Sequence, residues 1–320
     1  MDLHLLVDNL TNPALLFFFL GLLAVQLKSD LAIPPSSSKF ISLYLLLSIG
    51  FKGGQELAHS AFNMEIVWSL IFGVVLALSV PLYAFFTLKK RVGVQNAAAI
   101  AAAYGSVSAV TFVTTVAYLD MEQIAYSGYM VAVMAIMEAP SIIIGVLLMM
   151  LFTANRDKTV TMGSIIKHSV TNGSVLLIIG SLVIGFMASD AQAQGIAPFT
   201  TDIFKGFLAV FLLDMGISSG KKIGSLKEYG AFPYVFAIAV PIVNGIIVSL
   251  LSGFITESVG NRLLFAILAA SASYIAVPAA MKLAAPKANE GLYLPMALAI
   301  TFPFNITLGM PLYLCIINWS

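Results

Sequence analysis

Charge is scarce in this chain: only 10% of its 320 residues are Asp, Glu, Lys or Arg. A soluble domain carries about 25%, and 60% of the residues here are apolar. That balance identifies an integral membrane protein. Cysteine is nearly missing too. The single Cys315 excludes an intramolecular disulfide and any cysteine-based metal cluster. Histidine occurs three times, at His4, His59 and His168, always in a connector or at a segment edge. That spread argues against a His-based metal site or an intramembrane hydrolase. There is no Walker A sequence, so the chain does not itself consume ATP. No basic patch interleaved with aromatics points to nucleic acid. The start, Met1-Asp2-Leu3-His4, lacks the basic region and cleavage site of a secretory leader, so no removal is expected.

What the chain has instead is long apolar runs. A spanning helix needs about 20 mostly apolar residues, and ten such segments can be read: 13–28, 40–58, 64–88, 94–119, 126–153, 165–188, 201–220, 229–254, 261–283 and 291–317. They are too long for the alternating strands of a barrel. The expected class is therefore an all-α membrane protein. Alternate connectors differ in charge. One set holds Lys28, Lys39, Lys89, Lys90, Arg91, Arg156, Lys158, Lys167, Lys221, Lys222, Lys227, Lys282 and Lys287; the other is acidic apart from Lys205 and Arg262. The positive-inside rule places the basic set in the cytoplasm and both termini outside.

Two small-residue stretches interrupt segments four and nine. The first runs Ala103-Tyr104-Gly105-Ser106-Val107-Ser108-Ala109-Val110-Thr111-Phe112, and the second Ala269-Ala270-Ser271-Ala272-Ser273-Tyr274-Ile275-Ala276-Val277-Pro278. They lie 166 positions apart, as do Leu47-x-x-Gly50-x-x-x-Gly54 and Leu213-x-x-Gly216-x-x-x-Gly220. Segments one and six open alike, with Asn12-Pro13-Ala14 and Asn172-Gly173-Ser174. These matches predict a five-plus-five repeat: 1–153, a cytoplasmic connector 154–164, and 165–320. Five is odd, so the second half enters the membrane inverted. Inverted repeats with helices broken at mid-bilayer are a transporter architecture.

Past each break a half-helix would present free N–H groups and a partial positive charge. Two such ends facing one another make a small-anion site without an arginine. Gly105, Ser106, Val107 and Ser108 are the expected ligands on one side, and Ser271, Ala272 and Ser273 on the other. The same small residues also suit close helix packing. Glu138 is the lone carboxylate deep in segment five, beside Pro140. A charge at the bilayer centre costs about 2.5–3.5 kcal/mol, so it should be protonated, paired or cation-bound. Oxygen ligands at broken backbone suit Na+, with Thr111 and Asn305, and also Thr114, as further candidates. The alternative is Glu138 bonded to backbone freed by Pro140. Lys52 and Asp214 either form one intramembrane ion pair or lie separately near helix ends; the structural reading is favoured for both.

Gln95-Asn96-Ala97-Ala98-Ala99, Tyr104-Gly105-Ser106-Val107-Ser108, Ser271-Ala272-Ser273-Tyr274 and Met137-Glu138-Ala139-Pro140-Ser141 together resemble the cyanobacterial sodium-dependent bicarbonate transporter (SbtA) family. The resemblance is end to end. It implies Na+-driven bicarbonate uptake in the carbon-concentrating mechanism at the plasma (inner) membrane. It also implies a fold like bile-acid symporters, with a core of segments 3–5 and 8–10 and a gate of segments 1, 2, 6 and 7. An elevator movement, a homotrimer and a PII-like regulator (SbtB) on the cytosolic face come with it. The family's soluble loop between halves is longer than Ala154-Asn155-Arg156-Asp157-Lys158-Thr159-Val160-Thr161, which bears on any regulator contact there. From the residues alone, a Na+ symporter of another small carboxylate and a non-transporting receptor or scaffold for a cytosolic regulator stay open.

Overall fold

The computed structural model describes residues 10–60, 62–153, 163, 167, 171–285 and 287–320. Among these every regular element is helical. Residues 1–9, His168 and the connector 154–164, apart from Gly163, lie outside the described residues. Six helical stretches are long and apolar enough to cross a membrane: Met64–Val92, Val94–Met121, Tyr129–Phe152, Asp190–Tyr229, Phe232–Phe254 and Glu290–Trp319.

The first half comprises α1 (Pro13–Gln26), α2 (Pro35–His59), α3 (Met64–Val92), α4 (Val94–Gly105), α5 (Ala109–Met121) and α6 (Tyr129–Phe152). Asn12 caps α1, its side chain accepting the Ala14 N–H, and Pro13 supplies a first-turn residue with no N–H to leave orphaned. Between α3 and α4 the chain reverses through Gly93 alone, at φ 80°, a left-handed conformation that glycine tolerates. The second half comprises α7 (Gly173–Met187), α8 (Asp190–Ala197), α9 (Phe204–Lys222), α10 (Phe232–Leu251), α11 (Val259–Ala270), α12 (Ala276–Ala284) and α13 (Glu290–Trp319). Asn172 caps α7 as Asn12 caps α1, accepting the Ser174 N–H. Two widened π turns, Met296–Thr301 and Asn305–Gly309, loosen α13 around Pro303, where a missing N–H already weakens the ladder. The short α8 was not among the ten expected segments.

Two helix pairs pack backbone to backbone through glycine. On one, α1 meets α9: a methyl on Gly21 would come 2.8 Å from Ile217 N. On the other, α2 meets α7: a methyl on Gly54 would come 2.7 Å from Phe186 N. Apolar helices in lipid gain little from hiding apolar surface, so close approach supplies the attraction. Gly54→Ala is expected to cost about 1–3 kcal/mol by forcing these helices apart. The measurement is a thermal melt of the detergent-solubilised protein, and an unchanged Tm would contradict it.

Two large apolar clusters fill the core, the first joining α3, α5, α6 and α11 to α1, α2, α7 and α9, and the second lying mainly in α3, α4, α6, α12 and α13. One runs through Val107–Leu119, Tyr129–Met137 and Leu263–Ala270. The other runs through Val80–Tyr104, Ile142–Met149 and Ala272–Ile300. Between them lie the buried polar residues Ser106, Ser108, Glu138, Ser141, Ser271, Ser273, Thr301 and Asn305. Lys52 and Asp214 do not pair with one another, in line with the reading favoured for them. Lys52 pairs instead with Asp120 at 3.0 Å, and Asp214 accepts a hydrogen bond from Ser38 Oγ at 2.5 Å. Lys52 and Asp214 sit at non-equivalent levels of their helices, so each finds its own neighbour.

Candidate functional site: the crossing of two interrupted helices

The α4 helix ends because Gly105 packs flat against Pro81 of α3. A methyl there would lie 2.5 Å from Pro81 Cδ. Ser106 leaves the helix in an extended conformation (ψ 174°), and Ser108 restarts it as the N-cap of α5, its Oγ accepting the Thr111 N–H at 3.2 Å. That leaves the first-turn amides of Ala109 and Val110 without an intrahelical acceptor. In the second half α11 stops at Ala270, Ser271 turns extended (ψ 169°), and α12 begins at Ala276.

The two interruptions touch. Ser108 N–H donates to Ser271 Oγ at 3.0 Å, and Ser273 N–H donates to Ala103 O at 2.8 Å. Carbonyls left over at the ends of α4 and α11 are taken up from neighbouring helices. Ser141 Oγ reaches Gly105 O and Ala77 O, the latter at 2.7 Å. Asn305 Nδ2 donates to Ala270 O at 2.8 Å, and Asn244 Nδ2 to Ala269 O at 3.0 Å. Tyr83 OH in turn holds Asn244 Oδ1 at 2.6 Å. Non-helical backbone survives at membrane depth only when protein supplies its partners, and here it does.

A small cavity sits beside the crossing. Its walls are Val107, Ser108 and Ala109 from the first interruption, Ser273, Tyr274 and Ile275 from the second, Glu138 from α6, and Leu46 and Ser174 from α2 and α7. Of the expected anion ligands, Val107, Ser108 and Ser273 line it. Gly105, Ser106, Ser271 and Ala272 stand behind it as framework. Ser106 is fully buried, with Oγ donating to Glu138 O at 3.3 Å. Ser271 serves as acceptor for Ser108. The cavity volume is about 10 Å³, on the order of one water position. A polyatomic ion is larger than that.

Of the expected cation ligands, Glu138 alone is among the described residues lining the cavity. Glu138, 8% exposed, faces the cavity, and among the described residues no donor or cation meets its carboxylate. Thr111 Oγ1 is buried without a partner, one turn into α5. Asn305 is engaged at the second interruption through Ala270, and Thr114 Oγ1 donates back to Val110 O. No group of three His, Cys, Asp or Glu residues occurs among the described residues. A cation here would rest on one carboxylate and neutral oxygens, which suits a monovalent hard ion.

Several contributors escaped the sequence reading. Asn96 Oδ1, at the start of α4, accepts the Asn289 N–H at 2.8 Å, and Asn261 Oδ1, at the start of α11, accepts the Ser127 N–H at 2.7 Å. Each interrupted helix is thus tied to the loop after the other one. Asn244, a lone amide in an otherwise apolar stretch after Pro241, was the available signal for its role.

An all-helical, membrane-type protein with two interrupted helices meeting at a buried polar layer is built as a transporter is built. The sequence matches the profile of the Na+-dependent bicarbonate transporter superfamily over residues 13–318. The chain belongs to that superfamily, which makes it a membrane transporter and not an enzyme. No curated protein matches it.

Proposed function

We propose that the chain imports bicarbonate together with Na+ across the plasma membrane. The observation that carries this is the cavity between the two interrupted helices, whose walls bring Ser108 and Ser273 together with Glu138. A compact oxyanion suits donors so close together. A bulky organic acid does not.

The proposed mechanism is an elevator, in which the unit containing α3–α6 and α10–α13 slides against the unit containing α1, α2, α7 and α9. The cavity lies on the seam, with Leu46 and Ser174 as its wall on the second unit, so sliding changes which side of the membrane it meets. The inverted repeat is supported by pairs of equivalent contacts: α1 on α9 against α7 on α2, Asn96 against Asn261, and Ser141 on Gly105 against Asn305 on Ala270. Both termini outside, from the positive-inside rule, and a homotrimer with a cytosolic PII-like regulator, from the family resemblance, complete the proposal.

The test is labelled bicarbonate uptake into proteoliposomes with Na+ and K+ varied on each side. Uptake is expected only with an inward Na+ gradient, and equal uptake with K+ would overturn the coupling. Preferential competition by a small organic carboxylate would instead identify that acid as substrate. Absence of turnover would favour a receptor.

Lys52 on α2 and Asp120 at the end of α5 form an ion pair across the seam, with Lys52 also 5.7 Å from the Tyr126 ring centroid. Sliding must break it. Each partner is about one-third exposed, so the pair contributes about 0.2–1 kcal/mol. Lys52→Ala is therefore expected to shift the conformational balance two- to fivefold. Labelling rates of a cysteine placed at Ser174 in a Cys315→Ser background report it. The charge swap Lys52→Asp with Asp120→Lys should restore the original rate.

A further inference from the structure

A groove of about 830 Å³ runs along α2 and α7 and touches the helix interruption at Ile275. Its walls include Leu43, Leu47 and Phe51 on α2 and Leu177, Gly180 and Ile184 on α7. Polar groups collect mainly at one end, where Lys39, Asn172 and Ser174 lie. Among the described residues Lys39 is the single charged one lining the groove, and no carboxylate pairs with it. Beyond that end the lining is almost wholly apolar. Among the described lining residues there, Ser181 alone offers a hydroxyl, too few donors for a carried oxyanion.

We propose that this groove holds one acyl chain of an anionic phospholipid, whose phosphate pairs with Lys39. Length agrees with the assignment. From Lys39 to Phe51 the helix rises about 18 Å, against about 15 Å for the half-thickness of a bilayer core. Charge agrees as well, because a basic residue at the membrane surface draws an anionic headgroup. The two helices run parallel, since Gly50 packs at Ile178 and Gly54 at Phe186, so Lys39 and Asn172 open the groove at the same membrane face. Ser174 and Ile275 line both the groove and the cavity beside Glu138. The headgroup-proximal part of the chain therefore lies against the interruption, and lipid occupancy bears on how readily the seam moves. None of this depends on which anion is carried.

The experiment is native mass spectrometry of the purified full-length protein titrated with phosphatidylglycerol or phosphatidylcholine. One tightly retained phosphatidylglycerol per chain is expected, with phosphatidylcholine held more weakly. Lys39→Gln should weaken phosphatidylglycerol about fivefold and leave phosphatidylcholine unchanged. Gly180→Phe should remove both, because nothing lies within 4 Å of a side chain started there and the ring fills open groove. Retention unchanged in both variants would overturn the proposal. So would loss of oligomers in Gly180→Phe with lipid binding intact, since a second copy would then be the occupant.

Discussion

Ser273→Leu is expected to abolish bicarbonate uptake, lowering the rate at least about a hundredfold, while leaving a folded protein. Ser273 is 3% exposed, lines the cavity, and is held by its own N–H donating to Ala103 O. That backbone bond survives substitution. The leucine side chain, however, enters a space of about 10 Å³, and overpacking alone costs about 1–3 kcal/mol. Substrate meets a larger barrier, because the volume it must open is already occupied and an O–H donor has gone. Ser273→Ala separates these two effects: it removes only the hydroxyl, worth about 1 kcal/mol, and should weaken apparent affinity about fivefold at an unchanged maximal rate. Uptake assays on both variants, with circular dichroism melts as the folding control, are the measurement. Near-normal uptake by Ser273→Leu would mean that the anion binds elsewhere. Ser106, although equally polar, is a poorer probe, since it is buried behind the wall with its hydroxyl on Glu138 O.

Composition made the helical class legible, and local chemistry marked the interruptions. Gly105-Ser106 and Ser271-Ala272-Ser273 stand out in apolar runs because small hydroxyl residues contribute nothing to lipid contact. What each of them does was not legible. Ser108 and Ser271 look alike in sequence, yet one caps α5 and faces the cavity while the other accepts a bond from behind it. That difference is set by how two segments 163 positions apart cross, and no local pattern encodes the crossing. Leu46 and Ser174 were missed for the same reason: an ordinary leucine and a serine near a cap become walls only when α2 and α7 dock on the seam. Asn96 and Asn261 illustrate the converse. Their equivalence is invisible in residue type alone and appears once each is seen bonding to the loop that follows the other interrupted helix.

Glu138→Gln is expected to uncouple the substrate from sodium. The wild-type carboxylate lines the cavity at the crossing, is 8% exposed, and meets no cation among the described residues. A carboxylate about 5 Å from bicarbonate repels it by about 3 kcal/mol at an effective dielectric near 20. With Na+ seated against Glu138 that repulsion is cancelled, so the anion binds well only after the cation has arrived. Glutamine keeps the shape and removes the charge. Sodium then loses its strongest ligand, and its half-activating concentration should rise about a hundredfold. Bicarbonate loses its repulsion, so its binding without Na+ should strengthen rather than weaken. Isothermal titration of bicarbonate at zero and saturating Na+ reads both effects: the Na+-induced gain in affinity, large in wild type, should shrink to less than about threefold. An unchanged gain would place the cation away from Glu138 and leave that carboxylate as a partner for backbone near Pro140. Thr111 offers a second probe, because its buried hydroxyl has no hydrogen-bond partner and an oxygen one turn into α5 is free to join an ion. Thr111→Val, which removes that oxygen at nearly constant volume, should then raise the half-activating Na+ concentration by a smaller factor, about tenfold, without strengthening sodium-free bicarbonate binding. The sign of that last effect distinguishes a ligand that only holds sodium from a carboxylate that also repels the anion.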